Sequence, residues 1–309
     1  MKHSSARGLT EGAVLVAFFA VLLLISIYIP PLALVVNLFL VLPYIIYSSK
    51  YPLKSTLIMV AAGIGVSGII GSLLAIPLAI AYSTTGAAIG WMIKENKSKL
   101  MIFLVSTVIF LFHAITQYVI SIFLLGINVI EEMFTVMDET YERFLAMSES
   151  SGIDVAELQS NWTTHMNTIE MLLPTLLVFG VAVMVWIIIT VNLPIAKRFS
   201  IQVPKFTPFR ELSLPKSVIW YYLIILITTL VSSPEQGSLY AMAVLNLQVG
   251  LEIILILQGL SFIHFFAHLK GWGKGLIVLL TIFGIVLSPF TRILGIIDLG
   301  FDLRKRLQQ

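Results

Sequence analysis

Residues 55–93 read STLIMVAAGIGVSGIIGSLLAIPLAIAYSTTGAAIGWMI, 39 residues without one Asp, Glu, Lys, Arg or His. A helix rises about 1.5 Å per residue and the hydrocarbon core of a bilayer is about 30 Å thick. The run is therefore twice as long as one crossing needs and predicts two spans of about 20 residues each. Lys54 and Lys94 bracket it, and Gly63, Gly65, Gly68, Gly71, Gly86 and Gly90 recur at spacings of two to four within each half. Such spacing puts small residues on one helical face and lets neighbouring helices approach closely.

Composition carries the same message. Hydrophobic residues make up 58% of the chain and charged residues 11%, against about 45–50% and about 25% in soluble domains. Membrane integration follows, and the soluble classes fall away. The N-terminal MKHSSARGLTEG is short and basic. The apolar run after it lacks a small-residue cleavage site and leads into further spans, so it reads as a first transmembrane helix and not as a removable signal peptide. With no Cys, disulfides, thiolate metal sites and cysteine nucleophiles are excluded. The net charge of +3 sits in short loops between spans, which is not a nucleic-acid footprint.

In chain order, spans are expected at residues 10–29, 32–47, twice within 55–93, 100–125, 171–193, 217–231 and 239–267. Pro30 and Pro31 end the first, because proline cannot continue the helical hydrogen-bond ladder. Basic residues gather at Lys50 and Lys54, at Lys94, Lys97 and Lys99, at Lys197, Arg198, Lys205, Arg210 and Lys216, and at Lys270 and Lys274. The positive-inside rule assigns these loops and the N-terminus to the cytoplasmic side of the membrane. The segment 126–170, with nine acids and one Arg, then lies outside. In it Ile130, Met133, Phe134, Met137, Tyr141, Phe144 and Leu145, then Leu158, Trp162, His165, Met166, Ile169 and Leu173, repeat at helical spacing. They predict two amphipathic helices joined by SESSG, with Asp154 and Glu157 capping the second.

The last segment is ambiguous. Residues 275–288 number only 14 before Pro289, and the amphipathic FTRILGIIDLGFDLRKR follows. Its Arg304, Lys305 and Arg306 favour the cytoplasm, which a re-entrant or interfacial hairpin satisfies; a ninth span across a thinned bilayer is the alternative. The expected fold is thus all-α: a polytopic membrane helical bundle of eight spans plus a C-terminal re-entrant or ninth span, with an extracytoplasmic helical hairpin. Its parts are a five-span Gly-rich bundle (1–125), the hairpin (126–170), and C-terminal spans with the basic loop 197–216 (171–309).

Residues 9–93 resemble the substrate-binding S-components of energy-coupling-factor vitamin transporters. The likeness rests on LTEGAVLVAFFAVLLL with Ala13 and Ala17, the break at Pro30 and Pro31, and the Gly-rich spans ending GAAIGWMIKE. The whole chain, including its ending SPFTRILGIIDLGFDLRKR, is similar to the YybS-like family of bacterial integral membrane proteins. The resemblance implies a solute-binding or transport subunit, with a transmembrane coupling subunit and ATPases as partners and Ala13 and Ala17 as contact residues. The outer hairpin and the extra C-terminal spans depart from the six-span size of S-components.

Among polar residues Glu252, in LNLQVGLEIILILQG, stands out. A charge at mid-bilayer costs about 2.5–3.5 kcal/mol even on insertion scales, so the carboxylate should face the bundle interior and be protonated, paired or bound to solute. His113 and Gln117, one turn apart, would line the same site, and Asn246 and Gln248 would approach from the outer side; cross-helix hydrogen bonding is the plainer role of His113 and Gln117. His264 and His268 have the i, i+4 spacing of a metal pair but no third ligand nearby, and their place beside Gly271, Trp272 and Gly273 suggests interfacial anchoring. No metal or cofactor is expected. Tyr82, Ser83, Thr84 and Thr85 follow Pro77, read as interrupting its helix, and either expose backbone groups or bond their hydroxyls within the helix. Asn161, Trp162 and Thr163 match a glycosylation sequon, a weak signal in a chain of bacterial character. No HExxH, GxSxG or pair of intramembrane Asp occurs, so no enzymatic activity is expected. The alternative function is a noncatalytic membrane scaffold or regulator that recruits partners through the hairpin and the loop 197–216.

Overall fold

The computed structural model describes residues 2–150, 155–205, 207–232 and 237–307 of the chain. Its ordered elements are helical, with no strand among the described residues. The uncharged run forms α4 (Leu53–Lys94), after α1 (Lys2–Tyr28), α2 (Pro30–Val36) and α3 (Leu42–Lys50). α4 is not one rod. Helical dihedrals fail at Gly71 (φ −119°, ψ 19°) and Ser72 (φ 59°, ψ −168°). Lys94 Nζ donates to the Tyr51 carbonyl at 3.0 Å, a contact that a straight helix of this length, about 63 Å, could not make. α4 is therefore a helical hairpin with arms 53–70 and 73–94, as the charge-free length predicts. The break is at Gly71 and Ser72 and not at Pro77, which lies inside the second arm. That expectation is corrected: a proline near the start of an arm removes a single hydrogen bond, whereas Ser72 adopts a backbone conformation outside the helix altogether.

Two compact units emerge. The first comprises Met1–Val155 and Leu177–Phe206, and so contains α1 to α4, α5 (Lys99–Leu125), α6 (Val129–Ser150) and the latter half of α7 (Ala156–Arg198). Phe19, Leu23, Tyr44, Ile45, Ile89, Ile102, Ile188 and Ile189 are buried in its core. Glycines set the spacing between α3 and the second arm of α4: a Cβ on Gly86 would lie 2.5 Å from Val41 O, and one on Gly90 2.5 Å from Ile45 O. Gly65 has no atom within 4 Å of that position, so the small-residue face serves packing at some of its glycines only. The expected span 32–47 is broken into α2, a 3-10 turn at Asn37–Phe39 and α3, with Pro43 starting the last piece.

Charged and polar side chains of α1, α3 and the α3–α4 turn meet at one end of this unit. Glu11 Oε1 pairs with Lys50 Nζ at 2.6 Å, and Glu11 Oε2 accepts from Tyr51 Oη at 2.7 Å, which pushes the Tyr51 hydroxyl up to about 12. The opposite end holds the turns near residues 29 and 71, where Tyr28 Oη donates to Ile70 O at 3.1 Å.

α6 and α7 are both helical, as the two amphipathic patterns predict. The acids Glu131 and Glu132 occupy the first turn of α6, where they complement the helix dipole, and Asn128 Oδ1 accepts from Glu131 N at 3.3 Å. The expected SESSG turn is corrected in part, since residues 148–150 continue α6; its last two residues and the Asp154 cap fall in 151–154, outside the described residues.

The second unit comprises Ala156–Leu176 and Thr207–Gln309. It holds α8 (Ser217–Val231), α9 (Leu239–Leu269), α10 (Lys274–Val286), α11 (Ser288–Phe301) and α12 (Leu303–Leu307). α9 and α11 cross where Gly259 and Gly295 meet: a Cβ on Gly259 would lie 2.0 Å from Thr291 O, and one on Gly295 2.2 Å from Leu255 O. α10 runs back along α9, with Thr281 Oγ1 2.8 Å from His264 Nε2, and bends by 104° into α11.

Among the described residues six helical stretches are long and apolar enough to cross a membrane, α4 counting once, and α10 with α11 forms a further broken pair. α8 keeps its expected bounds, but its 15 residues extend only about 22 Å, short of the bilayer core. The chain is a multi-pass integral membrane protein.

Candidate functional site

The polar residues of α9 sit at successive levels of an otherwise apolar helix. Asn246 ties it to the early part of α7: Nδ2 donates to Met171 O at 2.6 Å, and Oδ1 accepts from Thr175 N at 2.9 Å. This amide is occupied by structural bonds.

One turn and a half further on, Glu252 meets three partners from three helices. Arg292 of α11 forms an ion pair with Glu252 Oε1. Tyr222 Oη of α8 donates to the same oxygen at 3.3 Å, and Gln248 Nε2 does so at 3.2 Å. Gln248 Oε1 in turn accepts from Thr229 Oγ1 at 3.3 Å, and the Arg292 guanidinium stands 5.8 Å from the Tyr222 ring centroid, within cation–π range. Glu252 thus faces polar groups of other helices, as its cost in lipid demands, and its partner is a charge. The pair is accessible: the two side chains keep 22% and 26% of their surface exposed.

A third level lies deeper. Asp298 Oδ2 accepts from Gln258 Nε2 at 2.6 Å and from Arg304 Nε at 3.0 Å. Arg304 also donates to Arg210 O at 2.8 Å and Ser261 Oγ at 3.0 Å, and Gln258 Oε1 accepts from Leu214 N at 3.0 Å. With Asp298 only 2% exposed, this network is a sealed clamp. It fastens residues 209–214 and the chain after α11 onto α9. Outside it, the Lys216 ammonium hydrogen-bonds Asp302 at 2.6 Å and holds that carboxyl below the ordinary carboxylate value.

The remaining sequence candidates lie in the first unit. His113 Nε2 is 2.8 Å from Thr84 Oγ1, and Gln117 Nε2 donates to Pro77 O at 3.3 Å. Both line an open, largely apolar groove of about 340 Å³ with Leu73, Ile76 and Ile80. The Thr84 and Ser83 hydroxyls donate to Ile80 O, the within-helix role. Ala13 and Ala17 are exposed and line a groove of about 410 Å³ with Gly12, Ala20 and Ala62. His264 is engaged by Thr281, and no cluster of three metal-ligating side chains occurs among the described residues.

Of the five solute-site candidates, Glu252 and Gln248 are in direct contact. Sequence reasoning missed Arg292, Tyr222, Asp298, Arg304 and Gln258. A signal for Arg292 was present: intramembrane charges occur in pairs, and Arg292 is a cation within an apolar segment of the same chain as Glu252.

The family model described as "Predicted membrane protein (DUF2232)" matches residues 17–299. The protein printed as "Uncharacterized protein YybS" of Bacillus subtilis (strain 168) is 30% identical over 308 residues, covering 98% of this chain and 99% of its own. No solved structure matches. With a family model that matches residues 17–299 and a relative 30% identical over nearly the full length of both chains, the chain belongs to the DUF2232 family of predicted membrane proteins, the YybS-like proteins.

Proposed function

We propose that this integral membrane protein is a noncatalytic solute-binding or transport subunit, similar to an S-component, whose solute site is the Glu252–Arg292 pair. The observation that carries the reading is a carboxylate and a guanidinium paired on apolar helices while both remain partly exposed. Charges inside a membrane segment are costly, and they persist where they line a solute path or polar cavity. The nearby Asp298–Arg304 pair supports the contrast, since it is closed off and ties elements together.

The topology we propose has eight crossings in a bacterial cell membrane. The six apolar candidates become seven when α4 crosses twice, and the short α8 makes eight. α10 and α11 supply a re-entrant hairpin: Arg304 returns to the level of Ser261 on α9, eight residues before its end at Leu269. The N-terminus and the basic loops then face the cytoplasm, and 126–170 faces outside. A transmembrane coupling subunit with ATPases is the partner class this reading expects, with Ala13 and Ala17 as contacts.

The scaffold reading has one observation in its favour, the exposure of Met133, Val136 and Phe144 on α6. Purifying the full chain in mild detergent and identifying what accompanies it separates the two. A small solute that disappears in Arg292→Gln supports solute binding; a protein partner with no solute in either form supports the scaffold.

A further inference from the structure

The two ion pairs of the second unit use their valences differently. Arg304 spends Nε, Nη1 and Nη2 on Asp298, Arg210 O and Ser261. In the other pair, Arg292, Tyr222 and Gln248 all converge on Glu252 Oε1. Among the described residues nothing donates to Glu252 Oε2, and Arg292 Nε and Nη2 have no hydrogen-bond acceptor. These atoms belong to side chains that are 22% and 26% exposed. A guanidinium edge with free donors is the group best matched to a carboxylate, which it binds with two parallel hydrogen bonds.

Charge balance selects what comes with that carboxylate. The Glu252–Arg292 pair is neutral as a whole, and an added anion would leave a net negative charge where water is scarce. A proton arriving with the anion removes it. The groups facing Glu252 leave one acceptor for that proton. Arg292 of α11 stays charged, Tyr222 of α8 is a phenol, and α9 itself offers the amide of Gln248. Towards α9, α7 presents Met171 and Thr175 and α10 presents Thr281, none of which titrates.

We propose that the Glu252–Arg292 site takes a monocarboxylate together with one proton. This rests on the solute-binding reading of the same site. The exchange balances as follows: the solute acid gives its proton to the Glu252 carboxylate, the resulting solute carboxylate replaces Glu252 on the Arg292 guanidinium, and neutral Glu252 keeps the Tyr222 hydrogen bond. No other bond forms or breaks, and the total charge of the site is unchanged. Affinity for the carboxylate then falls by up to about tenfold per unit rise in pH, the slope for one linked proton.

The test uses the full chain in lipid nanodiscs and formate, the smallest carboxylate, whose failure to bind at 100 mM could not be steric; ~100 mM is an order-of-magnitude working concentration for a weak ligand. Two readouts are taken on wild type: proton uptake in weakly buffered solution, and the infrared band of a protonated carboxyl. The expected result is one proton taken up per formate bound, with a new carboxyl band that is absent in Glu252→Gln. Glu252→Gln should bind formate without pH dependence, and Arg292→Gln should not bind it. No formate binding to wild type, or binding without proton uptake, overturns the proposal. If a zwitterionic amino acid binds in its place and is lost in both variants, the assignment of a monocarboxylate with one proton fails while the solute site stands. If whatever solute co-purifies from cells is retained in both variants, the site itself fails.

Discussion

Replacing Arg304 with Met tests whether the C-terminal segment is fastened to α9 by charge. Met keeps much of the apolar stem and removes the cation, whose guanidinium lies over the Phe265 ring, 5.5 Å from its centroid. Asp298 then loses its partner at 3.0 Å while only 2% of its side chain is exposed, so water cannot substitute. Breaking a buried pair in this way costs about 3–5 kcal/mol, because the remaining charge is left uncompensated. The Asp298→Asn, Arg304→Met double variant has no orphaned charge and keeps an amide for Gln258. It should recover part of the loss, with a coupling energy of about 1–3 kcal/mol. The assay is reversible thermal unfolding of detergent-purified protein, with limited proteolysis of residues 207–216 as a local readout, since Arg304 also binds Arg210 O at 2.8 Å. Lys305→Met, at an exposed neighbour, is the control and should change little. A loss below about 0.5 kcal/mol for Arg304→Met, the level of an ordinary surface change, would refute the clamp.

Further outcomes follow from the same geometry. Gly295→Ala should destabilise by about 1–3 kcal/mol through overpacking, since its Cβ would fall 2.2 Å from Leu255 O, whereas Gly65→Ala, with no atom within 4 Å, should be neutral or slightly stabilising in the same unfolding assay. Glu252→Gln should leave membrane abundance near wild type, because the amide oxygen still accepts from Tyr222 and Gln248, and should keep the co-purifying solute while losing the pH dependence of its binding, whereas Arg292→Gln should lose the solute. The absence of Cys makes topology directly readable: single cysteines at Lys97 and Lys205 should label only from the cytoplasm and one at Glu139 only from outside, and a Lys205 cysteine labelled only from outside would overturn the topology. Asp302 has its carboxyl held below the ordinary value first by the Lys216 hydrogen bond. That tether is therefore complete at neutral pH and is lost as pH falls through the lowered value; Lys216→Met should remove this acid-side dependence from proteolytic protection of residues 302–307.

Much of the architecture was legible because membrane helices must be both long and apolar. The charge-free run 55–93 could only be two crossings or one very long rod, and its flanking lysines favoured the hairpin that Lys94 and Tyr51 close. The bounds of α8 and the start of α9 followed from similar transitions. What could not be read were choices made by tertiary contact. Nothing local to Gly71 and Ser72 distinguishes them from Gly68, or from Pro77, as the place where the chain turns. The sequence does not say that α11 crosses α9 at Gly259 and Gly295, because that depends on which face of an amphipathic helix meets which glycine. Glu252 was legible as a residue that needs a partner, and Arg292, 40 residues away in sequence, becomes that partner only through this crossing.

The most direct test of the solute site is an experimental density map of the cell-extracted protein in lipid nanodiscs, inspected between Glu252 Oε2 and the free edge of the Arg292 guanidinium. The account predicts non-protein density bridging the two in wild type and none in Arg292→Gln prepared in parallel. A wild-type map in which those atoms are enclosed by protein side chains or lipid tails, with no polar density between them, would contradict it.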